Sequence, residues 1–251
     1  MKGTFIIDCF PESAAEYTSN YAIAAVDVIR ATTMAVTAVA TGHRCYVVGT
    51  AEEAYTLAER LENPLLAGEV AGVTPLGFHM NNSPAELLRR AETDRPLILL
   101  SSSGTRLLKN ASACAHVYVA CLRNCSAVAH YMAHRHTRIA LIGAGSRGQF
   151  REEDQLCCGW IGKHLSELGY AAENKITEDL VNKWRHAPAS SCALGDSAAY
   201  LERTGQLDDL DFILAHVNDL CDAFILRGQE VIGTHPTAPS EHEHALIAAV
   251  S

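Results

Sequence analysis

The sequence predicts an α/β protein with a mostly parallel sheet layered by helices. Short buried apolar runs are followed by a polar loop and then by a segment of helical periodicity, and this succession recurs at least four times. Such alternation is typical of parallel strands that are joined by crossover helices. We therefore expect the active site at the carboxyl ends of the strands, where open α/β sheets bind their ligands.

The predicted elements follow one another along the chain with short connections. Strands are predicted at residues 4–9, 24–26, 44–48, 64–67, 96–100, 116–120, 138–142, 230–232 and 245–250. Helices are predicted at residues 34–40, 50–61, 124–134, 152–168, 177–186, 197–203 and 207–221, with two further helix starts after residues 83 and 106. Polar connections are predicted up to residue 20 and over 70–82. Residues 1–251 form a single α/β unit in this interpretation, with 1–123 and 124–251 as an alternative division into two subdomains.

Composition and charge exclude several classes of function. The 251 residues are 48% hydrophobic and carry a formal charge of −9, so nothing indicates a nucleic-acid partner. Nine cysteines without a C-x-x-C pair predict reduced thiols rather than a zinc site. The N-terminus does not resemble a signal peptide, and no apolar run reaches membrane-spanning length. We expect a cytoplasmic protein without a membrane partner, whose apolar C-terminal half leaves room for a homodimer interface.

Three carboxylates follow different predicted strands and suggest a metal site. Asp27, Glu69 and Asp154 would all lie at the same edge of a parallel sheet. Carboxylates of this kind, together with water and substrate oxygens, suit Mg²⁺ better than a soft metal. Taken singly, each is better explained as a surface charge or as a helix cap, and Asp154 lies in the first turn of its helix. Their shared position is what predicts a cation site.

Two further stretches predict an anion site at the same edge. Arg30 lies between Asp27 and a predicted helix, where a guanidinium and free amides can hold an anion. The segment Ser101-Ser102-Ser103-Gly104-Thr105-Arg106 combines small residues, hydroxyls and an arginine, as an oxyanion cradle does. The alternative is a salt-bridged strand end and an ordinary serine/glycine turn.

The segment from Gly143 to Gly148 matches the pattern G-x-G-x-x-G after a strand. This pattern keeps an NAD(P)-dependent oxidoreductase open as an alternative. However, a new acidic helix begins soon after the third glycine, and no second strand ends in an acid about twenty residues later. We interpret the segment as a loop that offers amides and Ser146 to an anion.

Four segments together resemble the 2-phosphosulfolactate phosphatase family of magnesium-dependent phosphatases. The matching segments are Val26 to Thr33, Gly68-Glu69 through to Asn82-Ser83-Pro84-Ala85-Glu86, Ser103 to Arg106, and Gly145-Ser146 through Glu153-Asp154 to Gly159. They match in order and in spacing. The chain departs from the family in having Ser103 where Asn usually precedes Gly-Thr-Arg, and Asn81 where Gly commonly precedes Asn-Ser-Pro.

The resemblance implies hydrolysis of 2-phosphosulfolactate, or of a close 2-phospho-hydroxyacid, to the hydroxyacid and phosphate. It implies Mg²⁺ as the cofactor, held by Asp27, Glu69 and Asp154, and a small anionic phosphate ester as the partner. Asp27, Arg30 and Arg106 are the expected catalytic residues. The expected substrate and phosphate ligands are Thr32, Asn82, Ser83, Ser103, Gly104 and Thr105, with Ser146 and Arg147 for the carboxylate or sulfonate. Whether water or Asp27 is the nucleophile is left open, with water preferred, and a non-catalytic anion-binding protein is the third alternative.

Overall fold

Ten strands join in one sheet in the computed structural model, which describes residues 2–90, 92–145 and 148–234. The strands are β1 (Gly3–Asp8), β2 (Ala22–Val26), β3 (Cys45–Val48), β4 (Leu65–Gly68), β5 (Leu97–Leu100), β6 (Val117–Ala120), β7 (Arg138–Gly143), β8 (Tyr170–Ala172), β9 (Phe224–Arg227) and β10 (Glu230–Gly233). Their order across the sheet is β4-β5-β3-β10-β9-β6-β2-β7-β1-β8. All pairs are parallel except those made by the β9–β10 hairpin, which is inserted between β3 and β6. The predicted α/β fold with a mostly parallel sheet is confirmed.

Helices connect most of the strands and cover both faces of the sheet. They are α1 (Ala14–Tyr17), α2 (Ala31–Ala40), α3 (Ala51–Ala58), α4 (Pro84–Arg89), α5 (Gly104–Ala111), α6 (Cys125–Ala133), α7 (Glu152–Glu167), α8 (Lys175–Trp184), α9 (Asp196–Arg203) and α10 (Leu207–Ala215). Two of them begin at the predicted caps: the Thr50 side chain accepts from the Glu53 amide, and Ser83 accepts from the Glu86 amide.

The core lies on both sides of the sheet because the central strands are buried on both faces. Along β2, Ala22, Ala24 and Val26 pack into one hydrophobic cluster, whereas Ile23 and Ala25 pack into the other. The first cluster is closed by residues of α6, α7, α8 and α10, and the second by residues of α2, α4 and α5. A strand buried on both faces needs no polar alternation, which is why these strands appear in the sequence as continuous apolar runs.

Four details differ from the sequence prediction. The connection before residue 20 contains the short helix α1, and the helix predicted over 207–221 ends at Ala215. The strands β8 and β9 were not predicted. β8 is only three residues long and pairs with β1 alone, so its sequence carries almost no periodic signal. The predicted strand at 245–250 lies outside the described residues.

Strands from both sides of residues 123/124 are interleaved in the sheet. β9 and β10 lie between β3 and β6, and β7 lies between β2 and β1. Both halves of the chain therefore contribute to the region where the parallel strands end. Within the described part of the chain, no helix combines the length and the apolar character that crossing a bilayer requires.

Candidate active site

A cavity of about 1080 Å³ opens where four parallel strands end. It is lined by residues that directly follow β2, β4, β5 and β7, among them Asp27, Glu69, Ser101 and Ala144. The connection after β1 and the helix α9 complete its wall. The strand ends that the sequence singled out thus converge at one site, as expected for a parallel sheet.

Asp27 is buried at the floor of this cavity, immediately after β2. Its Oδ1 accepts a hydrogen bond from the Ala31 amide (3.2 Å), and its own backbone is held by Thr32, whose hydroxyl accepts from the Asp27 amide (2.8 Å). A Cβ at Gly104 would overlap the Oδ2 of Asp27 and the Cβ of Ala31. The glycine at the start of α5 therefore lets the serine-rich loop approach Asp27 closely. Thr32 is fully buried and shapes the strand end from behind the cavity.

Asp154 connects two of the strand ends. Its Oδ1 accepts from the Val28 amide after β2 (2.8 Å), and its Oδ2 accepts from the Gly145 amide after β7 (3.3 Å). The carboxylate is almost fully buried, although it lies on the first turn of α7 and borders the cavity. It therefore does more than cap its own helix.

Buried carboxylates raise one another's pKa at this site. Burial raises the pKa of Asp154, and the nearby charges of Asp27 and Glu153 raise it further. Burial also raises the pKa of Asp27, and the charges of Glu153 and Glu69 raise it further. One Glu153 oxygen is buried without a hydrogen-bond partner among the described residues. Negative charge concentrated in this way disfavours ionised carboxylates unless a cation is nearby.

The donor set fits a hard cation held in part by water and substrate. Asp27 and Asp154 border one cavity and supply carboxylate oxygens, which Mg²⁺ prefers. Glu69 is engaged with its own loop, because its carboxylate accepts from the Ser102 amide (2.7 Å) and the Gly72 amide (2.6 Å). In residues 2–90, 92–145 and 148–234, no three His, Cys, Asp or Glu side chains are grouped closely enough to hold a metal alone. Glu69 as a direct metal ligand stays a prediction.

Arg30 lies in the cavity wall and is held from several directions. Its Nη1 donates to Gln206 (2.6 Å) and to the carboxylate of Asp209, and its Nη2 donates to the side-chain oxygens of Asn81 (2.8 Å) and Asn82 (2.9 Å). The side chain is only 4% exposed. Arg30 is therefore rigidly oriented before any ligand binds. Asn81, where the chain departs from the family pattern, thus provides an additional hydrogen-bond acceptor for Arg30.

Asp209 organises the Asn-Ser-Pro segment as well as Arg30. Its Oδ1 accepts from the Ser83 hydroxyl (2.6 Å) and from the Ala85 amide (3.1 Å). Ser83 thus uses its hydroxyl to cap α4 and to bind Asp209, whereas Asn82 borders the cavity. The predicted ligand Ser83 lies behind the cavity wall, and its role as a substrate ligand stays a prediction.

The serine-rich loop forms another part of the cavity wall. Ser101, Ser102, Ser103 and Arg106 border the cavity, whereas the Thr105 hydroxyl is buried and bonds back to Ser101. The Arg106 guanidinium is half exposed and forms an ion pair with Glu12. An exposed pair of this kind is weak and easily exchanged for another anion. Arg106 is therefore free to contact a ligand at the rim.

Several residues of this site were not predicted from the sequence. Asp209 binds Arg30, and the charge of Glu153 raises the pKa of Asp27. The cavity is also bordered by Arg151 and by the α9 residues Tyr200 and Arg203. The C-terminal residues carry no motif, so only their position in the fold reveals them. Arg151 directly precedes the acidic start of α7, which was the one available signal. The predicted ligands Ser146 and Arg147 lie outside the described residues.

Fold and site together define an α/β protein with a cavity at the strand ends that is lined by arginines, serines and a pair of buried carboxylates. The family model described as 2-phosphosulpholactate phosphatase matches residues 9–222. A probable 2-phosphosulfolactate phosphatase of Symbiobacterium thermophilum is 33% identical over 196 residues, which are 74% of this chain and 83% of that protein. One of Deinococcus radiodurans is 37% identical over 192 residues, covering 74% and 80%. One of Pseudothermotoga lettingae is 36% identical over 142 residues, covering 57% and 61%.

The chain belongs to the 2-phosphosulpholactate phosphatase family. It is accordingly a phosphoric monoester hydrolase, and the resemblance that the four motifs predicted is confirmed.

Proposed function

We propose that the protein is a Mg²⁺-dependent phosphatase that hydrolyses 2-phosphosulfolactate, or a close 2-phospho-hydroxyacid, to sulfolactate and phosphate. The observation that carries this proposal is the meeting of buried carboxylates and arginines in one cavity at the strand ends. The names of the relatives support the substrate.

The charges of the cavity support the metal requirement. The substrate carries a phosphate, a carboxylate and a sulfonate, and it would bind next to Asp27, Glu69 and Asp154. Without a divalent cation these charges would repel one another in a partly buried site. Asp27 and Asp154 would hold Mg²⁺, with Glu69 acting directly or through water, and the bound cation would neutralise charge on the phosphoryl oxygens.

The protein's own groups supply positioning and electrostatic stabilisation. Arg106 would bind the phosphoryl group at the rim, together with the loop from Ser103 to Thr105. Arg30 is fixed in the cavity wall by Asp209 and the asparagines, so it contributes to the field in the cavity from a preorganised position. Preorganised charge of this kind is the main demand in phosphoryl transfer. We favour water over Asp27 as the nucleophile, because the Asp27 carboxylate is tied to the Ala31 amide and packed against Gly104.

A phosphate-release assay tests this proposal. Purified protein is incubated with 2-phosphosulfolactate in Mg²⁺ and, separately, in excess chelator, and Mg²⁺ is then added back to the chelated sample. We expect release of phosphate that chelation abolishes and Mg²⁺ restores. Equal rates with and without free Mg²⁺ would refute the metal requirement, and binding of sulfolactate without turnover of the ester would indicate a non-catalytic anion-binding protein.

A second assay settles the substrate. A panel of phosphorylated hydroxyacids, with 2-phospholactate and phosphoglycolate among them, is compared by kcat/KM under the same conditions. We expect 2-phosphosulfolactate to give the highest value, and another member of the panel in first place would replace it as the substrate.

The oxidoreductase alternative gains no support. The helix that follows Gly148 begins with Glu152, Glu153 and Asp154, so its first turn carries three acidic side chains. A pyrophosphate at this position would meet like charge, whereas a dinucleotide fold presents a free helix N-terminus to it.

A further inference from the structure

Two arginines of the cavity are left without a function by the proposal above. Arg151 lies directly before α7, and Arg203 is the last residue of α9. Both border the cavity that contains Asp27 and Asp154, on the wall that belongs to the C-terminal half of the chain. They therefore bring positive charge to the cavity from elements other than the serine-rich loop.

Arg151 has an unsatisfied donor in this wall. Its Nε is buried without a hydrogen-bond partner among the described residues, although its Nη1 lies 3.0 Å from an oxygen of Asp196. The Asp196 side chain is 80% exposed, so this ion pair contributes little and leaves the Nε–H unpaired. A buried donor without a partner is costly, and a ligand oxygen in the cavity satisfies it once the guanidinium turns toward the ligand.

Arg203 differs from the other arginines of the cavity. Arg30 is paired with Asp209, Arg106 with Glu12 and Arg151 with Asp196. In the part of the chain that the structure describes, Arg203 has no ion-pair partner, and it is exposed on the side of the cavity. It is available to a ligand without breaking an existing contact.

We propose that Arg151 and Arg203 bind the anionic end of the substrate that is not transferred, and so select for a phosphate ester that carries a second strong anion. This inference rests on the proposed function and names a specificity subsite of the same cavity. The Nε–H and an Nη–H of one guanidinium are spaced to match two oxygens of a carboxylate or sulfonate. The serine-rich loop and Arg106 would hold the phosphoryl group, and the subsite would fix the orientation of the ester by binding its second anion.

The test compares substrates that differ only in their anions. The variants Arg151→Met, Arg151→Lys and Arg203→Ala are assayed with 2-phosphosulfolactate, with 2-phospholactate (which lacks the sulfonate), with 1-sulfopropan-2-yl phosphate (which lacks the carboxylate) and with isopropyl phosphate (which lacks both). For 2-phosphosulfolactate we expect kcat/KM of Arg151→Met to fall about 10- to 100-fold, mainly through KM, as is typical for loss of a hydrogen bond to a charged group. For isopropyl phosphate we expect the same kcat/KM in wild type and variant. If the substitution also leaves kcat/KM for 2-phospholactate unchanged, the arginine binds the sulfonate. If it leaves kcat/KM for 1-sulfopropan-2-yl phosphate unchanged, the arginine binds the carboxylate.

Two controls keep the outcome unambiguous. Arg60→Ala removes an exposed arginine at the end of α3, outside the cavity, and is expected to change no substrate's kinetics. Arg147→Ala tests the sequence-predicted ligand. An equal loss with all four esters, or anion selectivity that depends on Arg147 alone, would overturn the proposal.

A binding measurement separates this inference from the proposed function. Calorimetric titration with sulfolactate in the presence of Mg²⁺ needs no turnover. If the wild type binds sulfolactate but hydrolyses none of the esters, the proposed function fails, whereas a 10-fold or larger loss of affinity in the Arg151→Met, Arg203→Ala double variant still supports the subsite. Unchanged affinity in that double variant, or no binding to the wild type, would overturn the subsite.

Discussion

Arg30 and Asp209 form a buried ion pair that joins the first strand end of the site to the C-terminal helix α10. Their side chains are 4% and 2% exposed, and the other Asp209 oxygen binds Ser83 and the Ala85 amide. A buried pair of this kind costs desolvation of both charges, and it persists because its remaining donors and acceptors are also satisfied. The C-terminal residues, which carry no motif, are thus part of the site.

Replacing one member of this pair tests its importance for folding. In Asp209→Asn the Arg30 charge stays buried without its partner, so we expect the free energy of unfolding to fall by about 3 kcal/mol or more. We also expect kcat/KM to fall, because Arg30 loses its orientation. Urea denaturation measures the free energy of unfolding, and phosphate-release kinetics measure kcat/KM. The control is Asp208→Asn, which removes an exposed pair with Arg89 and should cost less than about 1 kcal/mol. Equal losses of stability in the two variants would contradict the interpretation.

Gly104 is expected to be irreplaceable for activity. A Cβ at this position would overlap the Asp27 carboxylate, so Gly104→Ala should displace the loop or Asp27 and lower kcat/KM by about 100-fold or more. Gly42→Ala provides a contrast, because Gly42 has open space around it but a φ of +98°. That variant should lose stability and keep its kcat/KM. Full activity of Gly104→Ala would show that the approach of the loop to Asp27 is not required.

Arg106 tests the phosphate-binding wall. We expect Arg106→Ala to lower kcat/KM by about 10- to 100-fold, because a charge-assisted hydrogen bond to the phosphoryl group is lost. Its stability should change by less than about 1 kcal/mol, since the side chain is half exposed. Lys109→Ala is the matched control: it lies on the same helix, and its ion pair with Glu53 is outside the cavity. An unaltered kcat/KM in Arg106→Ala would remove this arginine from the site.

The lowered pKa of His136, a residue outside the active site, predicts how the free energy of unfolding depends on pH. Burial and the neighbouring His116 lower its pKa from 6.5 to about 4, and its Nε2 lies 2.7 Å from the Tyr118 hydroxyl. Because the folded-state pKa is depressed, the unfolded chain binds the proton more readily. The contribution of neutral His136 to the free energy of unfolding is therefore complete above about pH 6.5, and it is lost as the pH falls toward 4.

Denaturation curves between pH 4 and 8 measure this effect. His136→Gln should show a flatter dependence in the acidic range, whereas His186→Gln, which changes an exposed histidine after α8, should follow the wild type. If the slopes of wild type and His136→Gln coincide between pH 4 and 6.5, the histidine is not responsible.

Much of the fold could be predicted because its signals are local. The buried runs of β2 and β5 and the caps at Thr50 and Ser83 depend on neighbouring residues, and each was found from the sequence. The three-residue strand β8 could not be found, because it is held only by pairing with β1. The β9–β10 hairpin was half predicted for the same reason: its place between β3 and β6 depends on partners far away in the chain.

The sequence by itself determined the alternation of strands and helices, and it determined which strand ends carry the acids, arginines and serines, since both are properties of short segments. It also showed the family through motifs of fixed order. Only the tertiary structure decided which of these groups share a cavity, that Glu69 is occupied by its own loop, and that Asp209, Arg151 and Arg203 belong to the site. The physical reason is that burial, ion pairing and the pKa of a carboxylate depend on neighbours in space, and the partners of Asp154 and Arg30 lie more than a hundred residues away in the chain.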